Sequence, residues 1–109
     1  MTTLAPLFAA LADDTRLKLV EHLMDNGEHS AGALTVLSGL SAPAVSRHLK
    51  VLRKAGVIDQ RVAGTHRYYA ANPDAMRQIA DWTKDRRAFW TTSLDRLGAH
   101  LALNPEDPE

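Results

Sequence analysis

The most decisive absence from this chain of 109 residues is cysteine, of which it has none. Disulfides, thiolate metal sites, cysteine-based zinc fingers and a cysteine nucleophile are therefore excluded. No apolar run approaches the roughly 20 residues that a membrane-spanning helix needs. No cationic region precedes the first apolar residues, so a secretory signal is not expected. These absences favour one soluble domain, and we expect a cytoplasmic protein with no membrane partner.

An excess of one charge sign over the whole chain is also missing, because 13 cations balance 13 carboxylates. The charges are nevertheless unevenly distributed. Residues 1–45 carry a net charge of −3, residues 46–67 of +5 and residues 68–109 of −2. A basic segment in an otherwise acidic chain indicates a local contact with a polyanion, because phosphate repels the acidic remainder and so orients the molecule.

Motifs for catalysis are lacking as well. The sequence holds no glycine-rich phosphate loop, no nucleophile motif and no paired carboxylates placed for acid–base chemistry. The pair Asp13-Asp14 is better explained as a helix start, because aspartate caps helix N-termini and complements their positive dipole. We therefore predict no catalytic residue and no cofactor, and a protein that is not an enzyme.

What the sequence does contain is an amphipathic basic helix between Ser41 and Lys54. Val45, Leu49 and Leu52 recur at steps of four and three, which predicts one buried apolar stripe. The opposite face has cations and small polar groups and no carboxylate, so such a helix could lie in the major groove of DNA. The alternative is a solvated charged surface. The residues of this face are Pro43, Ser46, Arg47, Lys50, Arg53 and Lys54.

The segments on either side of the basic helix predict a winged helix-turn-helix. A short helix capped by Ser30 and a turn at Gly39-Leu40 precede it, which is the helix-turn-helix arrangement. Two β-prone runs, 57–62 and 66–70, follow it and flank a glycine-containing turn at 63–65, so they predict a β-hairpin, the wing. The hairpin carries groups suited to the DNA backbone or minor groove, namely Arg61, Thr65, His66 and Arg67.

The whole chain is predicted to be mainly α with a small β-hairpin, in the order α-α-α-α-β-β-α. The second helix begins at Asp13 and ends near Gly27, with Leu17, Val20 and Met24 on its buried side. The third presents Ala33, Leu34 and Leu37 inward. After a cap at Asn72 we predict one long helix over 73–102, which completes a domain of residues 1–102. Residues 103–109 are predicted to be a disordered acidic tail.

The last helix also predicts a dimer. Its apolar residues follow a heptad-like spacing, and so small a domain cannot bury them all on one helix. We expect the first and last helices to pair with those of a second copy. The alternatives are a helix folded back on its own domain and aromatic side chains that line a small-molecule pocket. The predicted interface comprises Leu4, Leu7, Phe8, Leu11, Ile79, Trp82, Thr83, Phe89, Trp90, Leu94, Leu97 and Leu101.

Three segments, residues 11–20, 40–56 and 64–69, together resemble the ArsR family of bacterial winged-helix repressors. The resemblance extends from about Pro6 to Leu101, and its most specific part is Ser-Ala-Pro-Ala-Val-Ser-Arg-His-Leu-Lys-Val-Leu at 41–52. The final helix resembles the branch of the family that lacks cysteine metal ligands. The resemblance implies a homodimer that binds double-stranded DNA at a palindromic operator. It also implies repression that some signal relieves, such as an unidentified small-molecule effector.

The same resemblance assigns roles by position. Ala42, Pro43, Ser46 and Arg47 correspond to positions that meet base edges. Lys50, Arg53 and Lys54 correspond to phosphate contacts. The wing pattern is matched by Arg61, Gly64 and Arg67. Ala42 departs from the glutamine often found at its position. Because alanine cannot make a bidentate contact to adenine, the preferred operator may differ from that of relatives. The complete predicted DNA-binding set is Ser41, Ala42, Pro43, Ser46, Arg47, His48, Lys50, Arg53, Lys54, Arg61, Thr65, His66 and Arg67.

Two other functions stay open as alternatives. One is a zinc-type metal-responsive repressor with histidine and carboxylate ligands. The five histidines, at 22, 29, 48, 66 and 100, show no ligand-type spacing of three or four, so we predict no metal site. His48 is interpreted as a packing or phosphate-contacting residue rather than a ligand or proton switch. The other alternative is a winged-helix module for protein interaction, which would not need a basic face without carboxylates.

Overall fold

The structure, a computed structural model, describes residues 4–103. The elements within this range follow in chain order: α1 (Leu4–Leu11), α2 (Asp14–Asn26), β1 (His29–Ser30), α3 (Ala31–Ser38), α4 (Ala42–Lys54), β2 (Ile58–Ala63), β3 (His66–Ala71), α5 (Pro73–Asp85) and α6 (Arg87–Leu103). The chain divides into two compact units between Gln78 and Ile79. The first unit contains the helix-turn-helix and all three strands, which confirms the predicted winged helix-turn-helix class.

Four helices begin at side-chain caps, as the sequence predicts. Each cap oxygen accepts a hydrogen bond from the backbone N–H three residues later, at 2.9–3.3 Å. Such a cap satisfies an N–H that has no partner within the helix, and its loss costs about 1 kcal/mol. The caps are Asp13 for α2, Ser30 for α3, Ser41 for α4 and Asn72 for α5.

The core of the first unit lies between α1–α4 and the strands. Ten apolar side chains from these elements and from the residue before β2 are at most 3% exposed. Burial of each contributes about 1.5–3 kcal/mol relative to exposure. Val45, Leu49 and Leu52 belong to this set, which confirms the predicted buried stripe of α4. The ten are Leu7, Leu19, Val20, Leu23, Leu34, Val45, Leu49, Leu52, Val57 and Ile58.

Four residues predicted to lie on buried helix faces are exposed instead, and Ala33 of α3 is one of them. Leu17 is 41% exposed, Met24 55% and Leu37 54%. The reason in α2 is that apolar residues occupy more than one helical face, and the core takes the face with Leu19 and Leu23 instead. In α3 the eight-residue helix buries only Leu34.

The three strands form one antiparallel sheet in the order β1-β3-β2. The hairpin register runs from Ile58 opposite Ala71 to Ala63 opposite His66, which leaves a two-residue turn. The first turn residue, Gly64, has a φ of +62°, a conformation that glycine adopts without strain. The turn is therefore one residue shorter than predicted. The sequence did not predict β1, because two residues are too few to show an alternating pattern.

The predicted long last helix is interrupted at Arg86, so it forms α5 and α6. The backbone N–H of Arg86 donates to the carbonyl of Thr83 at 3.1 Å, three residues back rather than four. Nearby, Thr83 Oγ1 donates to the carbonyl of Ile79 at 3.1 Å, a side-chain bond that often bends helices. The break falls at neither proline nor glycine, so the sequence carried no signal for it.

Leu103, the first residue of the predicted tail, is the last residue of α6. Residues 104–109 lie outside the described residues. Within residues 4–103 no helix combines the length and the apolar character that a membrane crossing requires.

Candidate nucleic-acid interface

The helix α4 is fixed to the first unit by its apolar side. Val45 is 1% exposed, Leu49 2% and Leu52 0%, so rotation of the helix would expose apolar area to water. Pro43 lies in the first turn of the helix, where the helix needs no N–H donor. Because the buried face is fixed, the orientation of the opposite face is fixed as well.

The opposite face of α4 is exposed and carries the predicted cations. Ala42, Pro43 and Ser46 are exposed near its N-terminal end, and the cationic residues Arg47, Lys50, Arg53 and Lys54 are exposed along it. Within residues 4–103, none of these four cations takes part in a recorded ion pair. Their charges are therefore available to an external anion, and no neighbouring carboxylate has to be displaced first.

A basic cleft of about 250 Å³ lies between α4 and the wing. Lys50 and Arg53 contribute from the helix and Arg67 contributes from β3. Among the described residues that line the cleft, none is acidic. The remaining lining residues are Ser46, Leu49, Gln60 and Tyr69. Three cations around one cleft are suited to a phosphate, which arginine and lysine bind through charge-assisted hydrogen bonds.

Arg61 of the wing is held by an acidic side chain. Its Nε donates to Glu28 Oε2 at 3.0 Å and its Nη2 to Glu28 Oε1 at 2.7 Å. Its Cζ also lies 4.7 Å from the centroid of the Tyr68 ring. The hydrogen bonds from Arg61 hold the pKa of Glu28 below its ordinary value, and the same contact raises the pKa of Arg61. The structure thus places Arg61 on an acidic partner rather than beside the cations of the cleft.

His48 is likewise turned away from the exposed cations of α4. Its side chain is 24% exposed, and its Nδ1 lies 3.9 Å from Asp13 Oδ2. The pKa of Asp13 is lowered, chiefly by the hydrogen bond from the backbone N–H of Arg16 and further by the positive charge of Arg16. His48 therefore contacts the N-terminal cap of α2. The other predicted DNA-binding residues, Ser41, Thr65 and His66, are exposed.

The apolar residues predicted for the dimer are a second candidate set, with some members in α1 of the first unit and the others in α5 and α6 of the second. In the second unit, five large side chains of α6 are 49–65% exposed: Phe89, Trp90, Leu94, Leu97 and Leu101. Phe89 and Trp90 contact each other edge to face at a centroid distance of 5.2 Å. Ile79 and Trp82 are half-buried and Thr83 is exposed.

The predicted dimer residues of α1 divide into two groups. Phe8 is 38% exposed and Leu4 and Leu11 are half-buried, so all three retain accessible area. Leu7 is 1% exposed. It belongs to the core of its own chain and has no area left for a partner, which corrects its predicted place in the interface.

Sequence reasoning missed three residues that shape the wing side of the interface. Gln60 and Tyr69 line the basic cleft, and Glu28 binds Arg61. Gln60 pairs with Tyr69 in the hairpin register, so alternation within the predicted hairpin could have placed both beside Arg67. No local signal identifies Glu28, which lies 33 residues from Arg61 in the sequence.

The part of the chain that contains α4 is similar to known proteins. Residues 13–60, from the cap of α2 into β2, match the family model for bacterial regulatory proteins of the arsR family. Over 85 residues the chain is 41% identical to the HTH-type transcriptional regulator Rv2034 of Mycobacterium tuberculosis, covering 78% of this chain and 76% of that protein. The chain belongs to the ArsR family.

Two further relatives agree with this membership. The transcriptional repressor SdpR of Bacillus subtilis is 32% identical over 76 residues, which cover 70% of this chain and 83% of SdpR. The homodimeric winged helix-turn-helix DNA-binding domain Mb0332 of Mycobacterium bovis is 26% identical with a TM-score of 0.64, covering 77% of this chain and 80% of that domain. This ArsR-family chain is accordingly a transcriptional regulator with a DNA-binding winged helix-turn-helix, and not an enzyme.

Proposed function

We propose that this ArsR-family regulator is a homodimeric repressor that binds a palindromic operator through α4 and the wing of each subunit. The observation that carries the proposal is the exposed face of α4, whose four cations have no acidic partner within residues 4–103. A regulator of this kind acts in the cytoplasm, where it reaches its DNA.

The residues of α4 divide by position into base-reading and phosphate-binding roles. Ala42, Pro43, Ser46 and Arg47 lie in the N-terminal half of the helix, the half that enters the major groove in helix-turn-helix proteins. Arg47 is the residue best suited to a bidentate contact with guanine. Lys50 and Arg53 share the cleft with Arg67, which favours phosphate binding between helix and wing. Lys54 lies one helical turn after Lys50 on the same exposed face of α4, so we assign it to phosphate binding as well.

The dimer is supported by the exposed apolar residues of α6. Trp90, Leu94, Leu97 and Leu101 follow steps of four, three and four and are each about half exposed or more. Two copies of such a stripe could cover one another as in a two-stranded coiled coil. Two α4 helices on a twofold axis would then reach major grooves about 34 Å apart, which requires an inverted repeat in the DNA.

Thiolate metal sensing does not fit the residues of this chain. Sites for soft metals use cysteine thiolates, and the sequence has no cysteine. Another type of metal site in this family uses an Asp-x-His pair and a later histidine on the final helix. In α6, Asp95 and His100 are five residues apart rather than two, so they do not match that pair. We therefore propose that the signal which releases the regulator from DNA is read without a thiolate site.

Selection from a random duplex pool tests this function directly. The untagged protein is used to select bound duplexes, and the selected sequences are aligned. We expect an inverted repeat with half-sites one helical turn apart, bound by two chains per duplex in sedimentation experiments. The matched control is the double variant Arg47→Ala with Lys50→Ala, which keeps the buried face of α4. Selection of the same repeat by the control, or a stoichiometry of one chain per duplex, would contradict the proposal.

A further inference from the structure

The fold brings together two histidines that are seven residues apart in the sequence. His22 Nε2 on α2 lies 3.2 Å from His29 Nε2 at the start of β1. The two rings meet edge to face, with an interplanar angle of 74° and centroids 4.6 Å apart. We propose that this pair is a two-histidine site for a divalent transition metal ion of the zinc type, coordinated through both Nε2 atoms.

The hydrogen bonds around the rings determine where their protons lie. His29 Nδ1 lies 2.9 Å from the carbonyl oxygen of Gly27. A carbonyl only accepts, so Nδ1 carries the proton and Nε2 of neutral His29 presents a lone pair. A backbone carbonyl on the distal ring nitrogen is also the usual support for a metal-binding histidine. His29 is therefore already in the tautomer that a metal ion requires.

His22 holds the proton that a metal ion would replace. Asn26 Nδ2 donates to the backbone carbonyl of His22 at 3.2 Å, which fixes the orientation of its amide, and lies 3.1 Å from His22 Nδ1. Nδ1 of neutral His22 therefore accepts, and its Nε2–H donates to His29 Nε2. The pair thus shares one proton between two ring nitrogens that face each other.

The separation of these nitrogens suits one shared metal ion. Zinc binds histidine nitrogen at about 2.0–2.1 Å with tetrahedral angles, which places two ligand nitrogens roughly 3.4 Å apart. The observed Nε2–Nε2 distance of 3.2 Å is close to this spacing. Both rings must turn so that their Nε2 lone pairs point at one ion beside the line that joins the two nitrogens. On binding, each Nε2 lone pair forms a coordinate bond as water leaves the ion. The proton of His22 moves from Nε2 to Nδ1 through solvent. Asn26 Nδ2, which is also a donor, must then move away from Nδ1 and keeps its hydrogen bond to the carbonyl of His22.

The site is open, because two residues supply all of its protein ligands. Among the described residues, no group of three or more histidine, aspartate or glutamate side chains could hold a metal ion. Water must fill the remaining positions, and both rings are only half-buried. His22 also lines a cavity of about 410 Å³ between α2 and the α3–α4 turn, which gives solvent a route to the ring. An occupied site would connect α2 to β1, the edge strand that pairs with β3.

Calorimetric titration of zinc chloride into the untagged protein tests the site without any DNA. We expect one zinc ion per chain, a raised unfolding temperature and reversal of both by a chelator. His22→Gln and His29→Gln should each weaken zinc binding at least about tenfold, because losing a supporting residue alone costs about 10–100-fold. His66→Gln, an exposed histidine of the same sheet, is the control and should bind as the original chain does. Unchanged zinc affinity in both His22→Gln and His29→Gln would overturn the proposal.

Histidine-ring NMR of the original chain keeps the test independent of how the variants fold. Long-range ¹H–¹⁵N spectra separate Nδ1 from Nε2. Zinc should shift the Nε2 signals of His22 and His29 together and convert His22 to the Nδ1–H tautomer. A largest shift at His48, His66 or His100 instead would show that zinc binds elsewhere and would reject the assignment.

Discussion

Replacing Arg67 with glutamine tests the basic cleft between α4 and the wing. Arg67 is exposed on β3 and shares the cleft with Lys50 and Arg53. It has no recorded ion pair within residues 4–103, so its removal leaves no carboxylate without a partner. Glutamine keeps the polarity and most of the length of the side chain. The change should therefore remove a phosphate contact while leaving the hairpin folded.

The expected magnitude follows from counter-ion release. Each phosphate neutralised on duplex DNA contributes about −0.9 to the slope of log K against log salt. The proposed dimer carries two copies of Arg67, so the variant should lose about 1.8 from that slope. At about 0.1 M salt this corresponds to about 60-fold in affinity, or about 2.5 kcal/mol. Because phosphates carry no sequence information, specific and non-specific duplexes should weaken alike.

Fluorescence anisotropy with a labelled duplex, measured between about 50 mM and about 200 mM salt, gives both slope and affinity. The control is Arg77→Gln on α5, because Arg77 already pairs with Asp74 and is not among the residues that line the cleft. The control should keep the slope of the original chain. A slope unchanged by Arg67→Gln, or a loss confined to the specific duplex, would refute phosphate binding by the cleft.

Three further predictions concern the packing of the core, the loss of folding stability at acidic pH and the dimer. Leu49→Ala should lower the free energy of unfolding by about 2–5 kcal/mol, because it leaves a cavity in the core. Val51→Ala is the control, because Val51 is 41% exposed on the same helix, and it should change the free energy of unfolding little. Equal losses for the two variants in urea unfolding would contradict the packing of α4. The ion pair with Arg61 holds the folded pKa of Glu28 below its ordinary value. The stability that this pair contributes is therefore present above the unfolded pKa of Glu28 and is lost as the pH falls through the folded pKa. Glu28→Gln should flatten the decline of stability in that acidic window, and a pH profile identical to that of the original chain would count against the pair. Leu94→Asp combined with Leu97→Asp should give monomers in sedimentation equilibrium that bind operator DNA weakly, and a stable dimer of this variant would exclude the α6 interface.

Local chemistry made much of the first unit predictable from sequence. The caps Asp13, Ser30, Ser41 and Asn72 are short-range signals, because each needs only a side-chain oxygen and an N–H three residues away. The stripe of α4 was equally clear, because only one face of that helix has the Val45–Leu49–Leu52 spacing. The two-residue β1 and the helix break at Arg86 lacked such signals, and α2 offered apolar residues on competing faces.

The candidate site was predictable in composition but not in its pairings. The cations of α4 could be assigned to one exposed face from periodicity alone. That Arg61 would bind Glu28 and that His22 would meet His29 depends on how β1 joins the sheet beside β3. These contacts are set by the tertiary fold, which brings together residues whose sequence spacing matches no motif. For the same reason Leu7, helix-spaced with exposed neighbours, could not be recognised as a core residue.

The central claim, that the exposed face of α4 reads base sequence, is tested most directly by competition binding with Arg47→Ala. The affinity of the variant for the selected operator is compared with its affinity for the same duplex carrying a changed half-site. The account predicts that discrimination falls by about 1–3 kcal/mol per half-site, while binding to non-specific DNA changes far less. Operator discrimination equal to that of the original chain would contradict it.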